Sequence, residues 1–212
     1  MRNVRIIFSK NGRMKFASHL DMNRLMTRII RRSSIPVWYT EGFNQHPYIT
    51  FALPLSLGFT SEYEVMDIRI LDDAFTDEQV KLALSQVLPD GLSVISVAES
   101  VEKAGAVAFA EFLIEFESDD TALANSLSAF LSQDHILTEK KTKKGKMKEI
   151  DMAPSIKSFS ISCNNTIELN IVLSAGGDNN LNPVLLLSAY GDLPYYTVCR
   201  KKIYNSLMEE FK

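Results

Sequence analysis

One stretch, Lys15 to Pro47 (KFASHLDMNRLMTRIIRRSSIPVWYTEGFNQHP), restricts the fold more than any other part of the chain. Ser18 followed three residues later by Asp21 is a capping box, which satisfies backbone N–H groups at a helix start and sets a carboxylate at its positive end. A helix is therefore expected from near His19. Met22, Leu25, Met26, Ile29 and Ile30 recur at the three-and-four spacing of a single apolar stripe, so the helix should run to about Arg32. Arg24, Arg28 and Arg31 share a second face, with Arg32 on its shoulder. One face suits a core and the other suits anions. Ile35 to Thr40 predicts a strand with Pro36 at its beginning. Gly42 to Pro47 has the composition of a functional loop rather than of a hairpin tip.

A chain of 212 residues can bury one large core or two of roughly 100 residues each. No stretch approaches the roughly 18 uninterrupted apolar residues of a membrane span, and the amino terminus lacks a secretory h-region, so a cytoplasmic location away from the membrane is expected. Cys163 and Cys199 are too few for a disulfide framework or an iron–sulfur cluster. The net charge of −3 hides an asymmetry: residues 1–60 carry +7, residues 61–138 carry −13 and residues 139–212 carry +3. A basic block of that kind attracts polyanions, unless it pairs with the acidic block inside the fold.

Val4 to Phe8 predicts the first strand and Ile35 to Thr40 the second, Tyr63 to Leu71 a third with Met66, Ile68 and Ile70 alternating against Asp67 and Arg69, and Leu92 to Ala98 a fourth. Thr76 should cap a helix reaching toward Pro89. The order is β-α-β-β-α-β, the ferredoxin-like arrangement, with helices on one face of an antiparallel sheet and the other face free for a partner. After a junction near residues 99–105 the pattern partly repeats: a strand over 109–116, a helix over 121–131, a hairpin about Asn164-Asn165, a short helix opened by Pro183, and a closing strand over 198–204, with the 203–211 end able to continue as helix instead. The expected fold class is α+β, as tandem ferredoxin-like units over 1–103 (basic, with SHLD and GFNQHP) and 104–212 (degenerate, with a lysine-rich hairpin at EKKTKKGKMK).

The segments FSKNGRMKFASHLDMNRLMTRIIRR, YTEGFNQHPYITFALPLSLG and SEYEVMDI, with KMKEIDMAPSI, NPVLLLSAY and VCRKKIY further on, resemble a bacterial family of unknown function described as radical-SAM-linked or radical-SAM-associated. In that family the domain stands free or is fused behind a radical S-adenosylmethionine protein. The resemblance implies a radical SAM protein as partner. One departure is Asn182-Pro183, where Arg-Pro is expected, which puts an arginine contact there in doubt. A more distant likeness, of fold only, is to the tandem ferredoxin-like RNA-binding proteins of CRISPR RNA processing.

Arg24, Arg28 and Arg31 offer forked donors about one helical turn apart, spacing that suits phosphates along a nucleic-acid backbone, and Lys10, Arg13 and Lys15 could extend that surface. Phe43 and Asn44 in the GFNQHP loop would line a pocket with His19 and His46, Phe43 as a stacking surface for a base. The first expectation is an accessory protein that binds tRNA or ribosomal RNA for its radical SAM partner. Two alternatives stand beside it: a metal-independent endoribonuclease with His19 and His46 as acid and base, and a protein–protein adaptor docking through the acidic block. Three histidines without HxH or HxxxH spacing argue against a metal site, and no glycine-rich phosphate loop, nucleophile elbow or cysteine triad is present, so no cofactor is expected in this chain.

Overall fold

The structure, a computed structural model, describes residues 1–141, 147–177 and 179–212. The middle of the lysine-rich segment therefore lies outside the described residues. The chain forms two compact units, Met1–Val107 together with Glu209–Lys212, and Ala108–Met208. It is a mixed α/β protein whose strands pair mostly antiparallel.

The first unit contains β1 (Arg2–Lys10), α1 (His19–Arg32), β2 (Ile49–Phe51), β3 (Thr60–Ile70), α2 (Asp77–Ser85) and β4 (Leu92–Glu99). β1 lies between β4 and β3, and β2 pairs with β3 through Ile49↔Ile68 and Phe51↔Met66. Period-two alternation sends Val4, Ile6 and Phe8 of β1 and Met66, Ile68 and Ile70 of β3 to one face. There they meet Met22, Met26, Ile29 and Ile30 of α1 and Val80 and Leu84 of α2. α2 starts at a second capping box, Thr76 with Gln79, and ends at Ser85 rather than continuing toward Pro89. The Val87 amide reaches back three residues to the Leu84 carbonyl, tightening the exit.

The opposite face of this sheet is not left open. Arg5, only 2% exposed, forks onto both oxygens of Asp67 at 2.8 Å and donates to the Glu102 carbonyl at 2.6 Å. The chain's own end returns over it: the Arg5 guanidinium carbon stands 4.1 Å from the Phe211 ring centre, and the Tyr63 hydroxyl is 3.0 Å from the Phe211 carbonyl. Part of the surface expected to be free is thus covered from within the same unit.

The second unit contains β5 (Val107–Phe116), α3 (Thr121–Leu131), β6 (Leu137–Lys141), β7 (Met147–Asp151), β8 (Ile156–Cys163), β9 (Ile167–Ser174), α4 (Pro183–Tyr190) and β10 (Tyr196–Asn205). Its sheet runs β10-β5-β9-β8, and β6 and β7 form a separate hairpin between α3 and β8. Asp151 anchors the base of that hairpin, accepting from the Ile136 and Ala153 amides and from His135 Nδ1 at 2.8 Å. The His135 bond, followed by the Ile136 amide, holds the Asp151 carboxyl below its ordinary value. Asn182 caps α4 by accepting from the Val184 amide, which gives a local role to the position where the expected arginine is missing. The 198–204 region is a strand, β10, so the helical alternative for the carboxy-terminal end does not hold. Its burial alternates over Val198 and Arg200 and again over Ile203 and Asn205, slipping by one residue between the two pairs.

Among the described residues no helix is long and apolar enough to cross a membrane.

Gly91, at φ +89°, holds the Asn11 turn through a 2.7 Å hydrogen bond from the Asn11 amide, and a Cβ there would stand 2.6 Å from the Asn11 carbonyl oxygen. Gly91→Ala is expected to cost about 1–3 kcal/mol in urea unfolding, whereas Gly105→Ala, with open space around it, should change little.

Candidate nucleic-acid interface

α1 is fixed at its start by the expected capping box. Asp21 N–H donates to Ser18 Oγ at 3.2 Å, and Ser18 N–H donates to Asp21 Oδ2 at 3.1 Å. The Ser18 hydroxyl also donates to Asp21 Oδ2 at 2.6 Å, and this bond, more than the neighbouring Arg24 charge, holds the Asp21 carboxyl below its usual range. With Met22, Met26, Ile29 and Ile30 buried, the helix turns Arg24, Arg28 and Arg31 outward, and all three are exposed. Among the described residues none of them has a carboxylate within ion-pair distance. The acidic block does take up part of the basic one, but through Arg2 with Asp77 at 2.7 Å and Arg5 with Asp67, not through the helix.

The turn before the helix divides its cations. Arg13 is exposed and Lys15 half-buried with its ammonium over the Phe16 ring. Lys10 is 1% exposed, and its ammonium donates to the Ala17 carbonyl at 2.9 Å. Lys10 therefore braces the helix entry from beneath rather than offering charge at the surface. The reason is that β1 is the central strand of its unit's sheet and is covered on both faces, which a count of lysines near a loop does not register.

Residues 35–40 do not form a regular strand. Val37 and Tyr39 make isolated antiparallel bridges to Ile70 and Pro47. The Thr40 amide donates to the His46 carbonyl and the Tyr48 amide to the Trp38 carbonyl. The GFNQHP segment is thus the tip of a short hairpin, contrary to the loop expectation. Phe43 at the tip is fully exposed, with Asn44 and His46 also in solvent. The tip is held by His46, whose Nδ1 lies 3.0 Å from the Asn44 carbonyl and 3.2 Å from Thr40 Oγ1. A carbonyl only accepts, so the contact to Asn44 uses Nδ1 as the donor, and Nε2 makes no bond within the hairpin. His19 packs edge-on to Phe51 of β2 at 5.3 Å. No hydrogen bond or ring contact joins His19 to His46.

Below the hairpin, Arg69 lies 5.1 Å from the Trp38 ring and 4.9 Å from the Tyr48 ring, while Nε donates to Asn3. Nothing near Arg69 in the chain signals this contact, because Arg69 meets those rings only when β3 is laid beside the hairpin. Among the described residues no group of three or more His, Cys, Asp or Glu side chains gathers as a metal site would require.

Two compact α/β units with antiparallel sheets, and a basic helix on the first, define the class of the protein. The chain belongs to the family described as an uncharacterized protein conserved in bacteria (DUF2344), whose model matches residues 3–183. No curated protein is a match. Among solved structures it is similar to a chain in the crystal structure of a Cbf5-Nop10-Gar1 complex, with 6% sequence identity and a TM-score of 0.50. The match covers 94% of this chain and 48% of that one, so this chain spans about half of its length, and the likeness is one of fold alone.

Ser18→Ala should destabilise the protein by about 1 kcal/mol by removing the cap. Asp21→Ala should cost stability at neutral pH but not in acid. Because folding depresses the Asp21 pKa, its contribution is present above the ordinary 3.8 and is lost as pH falls through the lowered value. Urea melts from pH 7 to pH 2 of the two proteins should therefore converge toward the acid end; parallel curves would disprove the linkage.

Proposed function

We propose that this protein is a cytoplasmic RNA-binding accessory protein, built of two ferredoxin-like units, that serves a radical S-adenosylmethionine partner. The observation that carries the RNA-binding part is the face of α1: Arg24, Arg28 and Arg31 are exposed along one line, with no carboxylate in ion-pair distance among the described residues. An arginine row costs little as a solvated surface, but a surface row inside an acidic chain ordinarily forms ion pairs, and among the described residues this one forms none, although Asp21 lies close enough to feel the charge of Arg24. Arg13 and Lys15 add charge in the turn before the helix, and the exposed hairpin tip separately offers Phe43 and Asn44, a stacking ring and an amide. The ferredoxin-like reading is supported by strand order, since among the main-sheet strands of each unit, leaving out the β6–β7 hairpin, the first lies between the last and the third, with a helix following the first and third. The radical SAM partner is supported by the sequence resemblance, and the reading asks for no cofactor within this chain.

A second reading, a metal-independent endoribonuclease, draws on the exposed His46 ring, whose Nδ1 is engaged within the hairpin so that Nε2 is the nitrogen turned to a substrate. His19 would be its acid.

The test is binding of short single-stranded RNA across a salt series. Each phosphate contact contributes about 0.7 to the log–log slope, so Arg24→Ala/Arg28→Ala/Arg31→Ala should flatten it by about 2. A His19→Ala/His46→Ala variant should keep its affinity under the accessory reading, and loss of RNA cleavage in that variant would instead favour the nuclease. No binding by the wild type at low salt would remove both and leave an adaptor that docks through its acidic block.

A further inference from the structure

The carboxy-terminal half of α1 borders a groove of about 470 Å3, closed on its other side by Val87 and Pro89 in the segment after α2. Its lining has two chemistries. Leu25 and Ile29 of α1 with Val87 and Pro89 make an apolar floor, and Arg28, Arg31 and Arg32 stand around it with no carboxylate in the lining. The helix dipole accounts for cations in the last turn, but not for aliphatic surface left uncovered between them.

We infer that this groove holds one nucleotide unit, its base flat against Leu25 and Val87 and its phosphate on Arg28 and Arg31. The charge of the rim selects an anion, and the floor selects an anion that carries an apolar face. Length selects further. Leu25 and Ile29 stand one helical turn apart, about 6 Å, which is the extent of one base and too short for the i, i+3, i+4 and i+7 anchors of an amphipathic partner helix. The volume falls within the roughly 300–1,000 Å3 of small-molecule sites. Arg32 closes the end, where it can meet the next phosphate of a strand. The inference rests on the phosphate-reading role of α1 proposed above and adds a base subsite to it.

The nucleotide can be free or a link in RNA, and the probes separate the two. Binding of uridine monophosphate, of a hexauridylate and of an abasic hexamer with the same phosphates is measured on the wild type and on Val87→Phe, which fills the groove without touching its charge. A second variant, Leu25→Gln, replaces Val87→Phe if thermal melting shows that the latter does not fold. The expected result is about tenfold tighter binding of the hexauridylate than of the abasic strand, with that difference lost in the groove variant while abasic binding stays unchanged. Binding of the monophosphate that is lost in the same variant supports the inference with a free nucleotide as ligand. Equal binding of base-bearing and abasic strands overturns the base subsite while leaving the phosphate-reading face intact. Absence of binding by all three probes overturns both.

Discussion

The burial of one stripe of α1 is the constraint on which the first unit depends. Met22, Met26, Ile29 and Ile30 are each at most 5% exposed against the sheet, and each returns roughly 1.5–3 kcal/mol on burial. A helix has only one rotation that buries all four. Turning it by one residue, about 100°, would drive arginines into the apolar layer at a desolvation cost that no nearby carboxylate offsets. The outward direction of Arg24, Arg28 and Arg31 follows from the packing of residues that never touch a ligand. The capping box at Ser18 sets where this rotation begins, and Lys10 braces the same turn from below.

The charge asymmetry of the chain separates into two uses. Arg2 and Arg5 at the amino terminus are spent on Asp77 and Asp67, partners that lie in the acidic block. The Arg5 fork is largely out of water, so it ties β1 to β3 more firmly than an exposed pair would, and Phe211 shields it further. Among the described residues Arg24, Arg28 and Arg31 enter no such pair. Position along the chain does not distinguish the two groups, since both are basic residues in one basic block. Their difference lies in which strand or helix face each occupies.

The hairpin shows how a short polar segment can be rigid without regular strands. The Tyr39–Pro47 bridge, the Thr40–His46 backbone bond and the His46 ring close it, Val37 ties it to Ile70 of β3, and Arg69 packs against the touching rings of Trp38 and Tyr48. The cost of presenting Phe43 to water is borne by this scaffold, not by the tip itself.

Local rules made much of the fold legible. The cap at Ser18, the three-and-four spacing of α1, the alternation of β3 and the Thr76 start of α2 all follow from chemistry within a few residues, and the structure has them where the sequence puts them. The arginine face was legible for the same reason, being the complement of the apolar stripe. Other features depend on contacts between residues far apart in the chain. Lys10 is buried because β1 is central in its unit's sheet, Arg69 stacks because β3 passes the hairpin, and the groove exists because Val87, turned by a tightened helix exit, arrives opposite Leu25. Periodicity reports which side of its own element a residue occupies. Which other element covers that side is decided only when the chain packs, because burial is a property of the assembled layers and not of any one of them.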